Sequence, residues 1–193
     1  TRSYSSAASD VYKRQVTHHT EFDSTQTHLA VIIPAISRSD PDYYNLLVAN
    51  YIFGGSGFGS WLMEEIRQKR GLSYSVYSYL STYQNSGYLR ISLQTKNESI
   101  NLAKNIIREQ VDKLSRFDVE DTKITATKKA ILRSFEMRAD TNRKILNLIS
   151  SINYLNLDLN YFENYKNNLK QVNKDSIKAA LNRAMDFDNI SVF

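Results

Sequence analysis

The sequence contains no cysteine, which excludes disulfide cross-links and thiolate metal sites. It holds only three histidines, His18, His19 and His28, and no two of them frame a glutamate at metal-ligand spacing on a helix. His18-His19-Thr20-Glu21-Phe22 comes nearest to the inverted pattern H-x-x-E-H, but Phe22 stands where the second histidine is required. Zinc takes about three protein ligands in fixed geometry, and this polar stretch has no helical stripe to present them. Two prolines and six glycines in 193 residues leave little room for long flexible linkers. No segment approaches the roughly 18 apolar residues of a membrane span. Serine is plentiful, yet none occupies a strand-to-helix Gly-x-Ser-x-Gly elbow, and Gly55-Ser56-Gly57 has the wrong spacing and context. Nothing in the sequence breaks bonds by itself.

What is present is ordinary globular composition, 41% hydrophobic and 23% charged, enough for one domain with a sizeable core. The net charge of +5, from 25 basic and 20 acidic residues, is spread through mixed runs such as Glu64-Glu65-Ile66-Arg67-Gln68-Lys69-Arg70. A nucleic-acid face would gather its cations together, so no nucleic-acid partner is expected. Residues 1–15 are polar and rich in small side chains, without an apolar signal core. They read as an unstructured leader or a cloning remnant, and residues 16–193 as a single domain.

Periodicity orders that domain. The apolar run Leu29-Ala30-Val31-Ile32-Ile33 predicts a strand over 27–36, buried on both faces or central in a sheet. Asp40 and Pro41 open a helix whose face carries Tyr44, Leu47, Val48, Tyr51 and Ile52. A glycine-rich turn, Gly54 to Gly59, leads into a second helix over about 60–69. Two alternating segments, around Val76 and around Ile91, form an antiparallel hairpin turning at Gln84 to Gly87. Helices then follow, one capped near Asn97 and striped by Ala103, Ile106, Ile107, Val111 and Leu114, another over 119–138. A third carries Ile145, Leu148, Ile149 and Ile152, and the last is marked by Ile177, Ala180, Leu181 and Ala184. Asn189 to Phe193 alternates like a strand and stops abruptly, which suggests a cut inside a longer protein. The fold class is α+β, an antiparallel sheet with helices packed mainly on one face.

Two constellations invite chemistry. The glycine turn lacks the Gly-Lys-Ser/Thr ending of a phosphate loop, and it follows a helix where a dinucleotide fingerprint follows a strand. It is either a helix-to-helix turn needing positive φ or a flexible backbone surface for an extended peptide. Arg67, near the end of the second helix, and Tyr74, opening the next strand, can reach one edge of the sheet. Both donate hydrogen bonds, and together they could grip a peptide carbonyl. The plain alternative is a surface arginine and a half-buried tyrosine.

The stretch Phe53-Gly54-Gly55-Ser56-Gly57-Phe58-Gly59-Ser60-Trp61-Leu62, continuing through Arg67-Gln68-Lys69-Arg70-Gly71-Leu72-Ser73-Tyr74-Ser75-Val76-Tyr77-Ser78, closely resembles a family signature. It belongs to the C-terminal, non-catalytic half of the pitrilysin family of zinc metallopeptidases, which includes insulysin and mitochondrial processing peptidase. Gln26-Thr27-His28-Leu29 and Asp40-Pro41-Asp42-Tyr43 resemble its flanks. The resemblance implies a processing-peptidase-like half that closes with an N-terminal catalytic half around an extended peptide. No cofactor is then expected in this chain, and zinc lies in the partner half, on the same full-length chain or a separate subunit. It also implies that Arg67 and Tyr74 reach the substrate near the metal, with Gly54, Gly55 and Gly57 as further substrate contacts. A catalytically dead peptide- or partner-binding scaffold of the same fold is the alternative. Trp61 replaces the usual arginine and Gly59 the usual serine, so side-chain contacts from those two positions are not carried over. The compartment is open, a periplasmic or otherwise exported location being preferred to the cytoplasm.

Overall fold

The computed structural model describes residues 16–21, 23–158 and 160–193, apart from the side chain of Arg138. The leader expected over 1–15 therefore lies outside the described residues, as does Phe22. The elements are β1 (Val16–Thr17), β2 (Gln26–Ala35), α1 (Tyr43–Asn50), α2 (Met63–Gln68), β3 (Val76–Thr82), β4 (Gly87–Lys96), α3 (Ile100–Arg116), α4 (Asp121–Glu136), α5 (Asn142–Tyr154), α6 (Tyr161–Gln171), α7 (Lys174–Ala184) and β5 (Ser191–Val192). Mixed α+β architecture with one five-stranded sheet is the observed class.

The sheet runs β1-β5-β2-β4-β3. Its spine is the antiparallel pair β2 and β4, in register from Gln26 opposite Lys96 to Ala35 opposite Gly87. β3 pairs antiparallel with β4 along the opposite side. The β1–β5 pair is parallel, an exception to the all-antiparallel expectation. Side chains alternate with the pleat: Leu29, Val31, Ile33, Leu89, Ile91, Leu93 and Val76 point inward and are buried. The outward positions Tyr77, Tyr79, Arg90, Gln94 and His28 are exposed. Helices thus cover one face. The central-strand reading of β2 holds, and Ala30 and Ile32 are only half-buried because they sit on the uncovered face.

α1 differs from its expected stripe. Val48 and Ile52 are buried, but so are Leu46, Ala49 and Phe53, while Tyr44, Leu47 and Tyr51 are half-buried. The reason is position: α1 lies between β3 and the outer helices α4, α6 and α7, so it is covered from both sides. Its start also shifts. Asp40 accepts from the Asp42 backbone N–H at 2.8 Å, closing a turn just ahead of a helix that begins at Tyr43.

α3 buries the predicted stripe and also Gln110. Asn97 does not cap it. Its side chain instead accepts from Thr27 Oγ1 at 2.7 Å and donates to the Ser24 carbonyl at 2.7 Å, tying α3's approach to the start of β2. α5 departs most: of Ile145, Leu148, Ile149 and Ile152, only Ile152 is buried, because the helix lies at the periphery of the helical layer. α7 follows expectation, starting at a reciprocal cap between Asn173 and Ser176 and burying Ile177, Ala180 and Leu181. No helix among the described residues is long and apolar enough to cross a membrane.

Candidate functional site

The site grows from the end of α1. There the backbone hydrogen bonding widens, with the Ser56 N–H reaching the Tyr51 carbonyl at 3.1 Å; such wide turns recur at functional sites. Gly54 is buried where a Cβ would stand 2.6 Å from Ser78 Oγ and 2.8 Å from the Ser78 backbone nitrogen. Its lack of a side chain is what lets the turn close onto β3. Asn50 secures the same junction by accepting from Ser78 Oγ at 2.6 Å, and a Cβ on the exposed Gly55 would meet its amide nitrogen at 2.8 Å. Gly57 (φ +68) and Gly59 (φ +90) then turn the chain outward through conformations that L side chains rarely adopt. Between them stands Phe58, 69% exposed.

Ser60 restarts the helix. Fully buried, it donates from Oγ to the Gly57 carbonyl at 2.7 Å and accepts from the Met63 N–H at 3.4 Å, a serine cap. Lys123 Nζ of α4 holds the outside of the turn through the Gly59 carbonyl at 3.3 Å. Trp61 lies apart from this turn, with Lys113 Nζ 4.3 Å from its ring and Phe117 beside it. That side chain braces α2 against α3.

α2 presents Arg67 beside four other charged residues, Glu64, Glu65, Lys69 and Arg70. Glu65 takes both Lys69, at 2.6 Å, and Arg70, and Glu64 takes Lys69 at 3.1 Å. Hydrogen bonds first from Lys69 and then from Arg70 lower the Glu65 pKa, against the opposing effect of burial. These pairs consume both carboxylates and leave Arg67 with no ion-pair partner among the described residues. They also predict a pH effect. A carboxyl whose folded pKa is lowered contributes stability above its unfolded value of about 4.3 and loses it as pH falls through the folded value. Wild type and Glu65→Gln should therefore differ in Tm near pH 7, by little because the pair is surface-facing, and converge below about pH 4. Tm measured from pH 2 to 7 checks this, and a gap that persists to the acid end would refute it.

After Gly71 (φ +61) the chain is pinned to β4. Thr95 Oγ1 donates to the Leu72 carbonyl at 2.6 Å, and Ser73 Oγ bonds to the carbonyls of Ser75 and Gln94, each at 2.7 Å. Held between these anchors, Tyr74 projects into solvent and is 84% exposed. Arg67 lies between two rings, its guanidinium carbon 4.5 Å from the Phe58 centroid and 4.6 Å from that of Tyr74. Each such contact contributes on the order of 0.5–1 kcal/mol at an exposed site. The guanidinium N–H groups make no hydrogen bond to described residues and are left for an acceptor.

Arg67 and Tyr74 are thus brought together, as a stack rather than side by side. Gly57 lies in the same turn as Phe58, whereas Gly54 sits beneath it in the protein interior. Phe58 escaped the sequence reading; an aromatic residue flanked by glycines in a polar turn was the available signal. The histidines do not converge. His18 stacks on Phe193 at 5.0 Å, and His28 lies exposed on β2. No group of three His, Asp or Glu side chains suited to a metal occurs among the described residues. The residues present do not fit a zinc ion.

Residues 3–131 match the family profile of the peptidase M16 inactive domain. The chain belongs to the peptidase M16 inactive-domain family. Its fold is that of a solved M16 inactive domain from Pseudomonas fluorescens, with a TM-score of 0.85 and 30% identity, covering 93% of this chain and 43% of that one. A "non-peptidase homolog YmxG" of Helicobacter pylori is 38% identical over 142 residues, 68% of this chain and 31% of the relative. An "uncharacterized zinc protease YmxG" of Bacillus subtilis is 30% identical over 124 residues, 64% of this chain and 30% of the relative. This M16 domain therefore spans about a third of the length of these curated relatives. The Arg67 cluster falls within the residues matched to the inactive domain.

Proposed function

We propose that residues 16–193 form one domain, the non-catalytic half of a zinc-dependent endopeptidase. It closes over an extended peptide and presents Arg67 and Tyr74 to the scissile region. The observation that carries this reading is the Phe58–Arg67–Tyr74 stack. A guanidinium with no carboxylate partner among the described residues is held on the rim of the domain, where those residues include no metal-suited cluster, and its N–H groups are open to a substrate carbonyl. Such a donor orients a peptide and stabilises charge developing on its carbonyl oxygen. The metal and the bond-breaking step belong to a catalytic half, on the same full-length chain or on a separate subunit. Gly55 and Gly57 offer backbone to the peptide beside Phe58, and Gly54 supports them from below. A periplasmic or otherwise exported location, which the cysteine-free sequence permits, completes the reading.

The test is reconstitution. Combined with a catalytic half bearing H-x-x-E-H, the chain should support cleavage of an unfolded peptide, and by itself it should show none. Cleavage by this chain alone, or no gain over the catalytic half alone, would refute the proposal.

The second reading is a peptide- or partner-binding scaffold with no peptidase in its complex. The Helicobacter pylori relative, described as a non-peptidase homolog, favours it. A partner half without H-x-x-E-H would decide for this reading.

A further inference from the structure

A polar cavity lies at the far end of the sheet from Tyr74. Tyr74 precedes β3, whereas the Arg38 backbone N–H donates to the carbonyl of Tyr83, just beyond the last residue of β3, at 2.8 Å. Seven residues of strand at about 3.3 Å each put roughly 23 Å between the two places. The cavity, of about 540 Å³, opens between the start of α1 and α6, and Arg38, Asp158, Tyr161, Asn164 and Asn168 contribute to its lining.

Arg38 is only 6% exposed, yet no carboxylate pairs with it among the described residues. Asp40, next but one in sequence, is taken by Arg183. The Tyr43 ring covers one face of the guanidinium, with the central carbon 3.5 Å from its centroid. A single N–H is accounted for, donated to Tyr161 Oη at 2.9 Å. A guanidinium carries five in-plane N–H groups, and a charge this deep is costly unless paired. Burial works to lower its pKa, but its contacts with Tyr43, Tyr161 and Tyr44 leave it raised. Asn164 and Asn168, one turn apart on α6, line the same cavity, and their carboxamides make no hydrogen bond to described residues. The exposed carboxylate of Asp158 stands at the cavity as well.

We propose that this cavity binds the carboxylate end of a peptide, with Arg38 pairing to the carboxylate and Asn164 and Asn168 meeting the adjoining peptide groups. A planar carboxylate matches the guanidinium edge, and carboxamides offer both the donors and the acceptors that a peptide unit needs. The volume suits a two- or three-residue segment and lies within the ordinary range for small-ligand sites, roughly 300–1,000 Å³. Two sources share this chemistry, a free short peptide and the C-terminus of a longer chain. The site is independent of the Arg67 cluster and of the zinc-peptidase reading.

Calorimetric titration of the 193-residue chain tests it with three probes: acetyl-dialanine as the free acid, its C-terminal amide, and a longer acetylated peptide ending in the same two alanines as a free acid. The free acid should bind at least about tenfold more tightly than the amide, as expected when a charge-assisted contact is lost. If the longer acid binds as well as the short one, the pocket reads chain ends; if only the short acid binds, it reads free peptides. Arg38→Gln should abolish the preference for the acid. Should that variant fail to fold, Asn168→Asp, which adds a carboxylate to a cavity already lined by Asp40 and Asp158, should weaken acid binding by about tenfold with an unchanged circular dichroism spectrum. Equal affinity for acid and amide, or no binding of any probe up to about 10 mM, would overturn the proposal.

Discussion

Arg67→Ala is expected to lower turnover of the reconstituted peptidase about a hundredfold, the usual cost of removing one donor aimed at a developing oxyanion. That corresponds to about 2.7 kcal/mol of transition-state stabilisation. Tyr74→Phe should cost a similar factor. Phenylalanine preserves the ring against the guanidinium and removes only the hydroxyl, so this variant isolates the phenol as a hydrogen-bond donor. Tyr74→Phe should barely change stability, because Tyr74 is almost wholly exposed and keeps its ring, whereas Arg67→Ala should cost about 1–2 kcal/mol by removing both ring contacts. Single-turnover rates, with circular dichroism of the isolated variants, check both expectations. If each variant stays within about twofold of wild type, the assigned roles are wrong. If Tyr74→Phe alone is neutral, the ring serves only to hold Arg67.

The largest expected effect on stability lies elsewhere, at Gly87. A Cβ there would stand 1.9 Å from the Ile36 carbonyl oxygen and 2.9 Å from that of Ser81. Both obstacles are backbone, and Gly87 is paired with Ala35 on one side and Thr82 on the other. Neither neighbour moves without breaking the ladder. Gly87→Ala should therefore cost about 3 kcal/mol and lower Tm by roughly 6–12 °C for a chain of this size. Gly57→Ala is the informative control. A Cβ there meets nothing within 4 Å, and only its φ of +68 opposes the change, so the cost should be about 1–2 kcal/mol. Thermal melts of the two variants separate crowding from backbone strain. Equal losses would show that the close approach at Gly87 is not what demands glycine.

Which parts of this architecture were legible in the sequence follows from how local their causes are. β4 and α3 announce themselves because one covered face imposes a strict period, as in Leu89, Ile91 and Leu93 or in Ala103, Ile107, Val111 and Leu114, whereas β2 shows through its unbroken apolar run from Leu29 to Ile33. α1 hides its true pattern because two layers bury it, so Leu46 and Ala49 go inside alongside Val48. α5 misleads in the opposite sense. Its apolar row is helical in spacing, but burial depends on what lies alongside, and Ile145 and Ile149 remain exposed. The pairing of Arg67 with Tyr74 was legible through the turn that joins them. The third member, Phe58, was not, because its position depends on the positive φ angles of two glycines and on Ser60 folding back over Gly57. Arg38 gave no signal in the sequence, because part of its enclosure comes from Tyr161, 123 residues later.

The burial of α1 between two layers has a kinetic consequence. Its outer cover arrives with the end of the chain: Ser176 bonds to Asn45 across 131 positions, and Arg183 reaches back to Asp42 across 141. β5 then docks on β2 from the far end of the sequence. Contacts this distant in sequence must overcome large loop-closure entropy before they return any stabilisation, which slows folding. On a ribosome, α1 must wait with one apolar flank uncovered until α6 and α7 have been synthesised. Apolar surface left open during that interval exposes the nascent domain to aggregation.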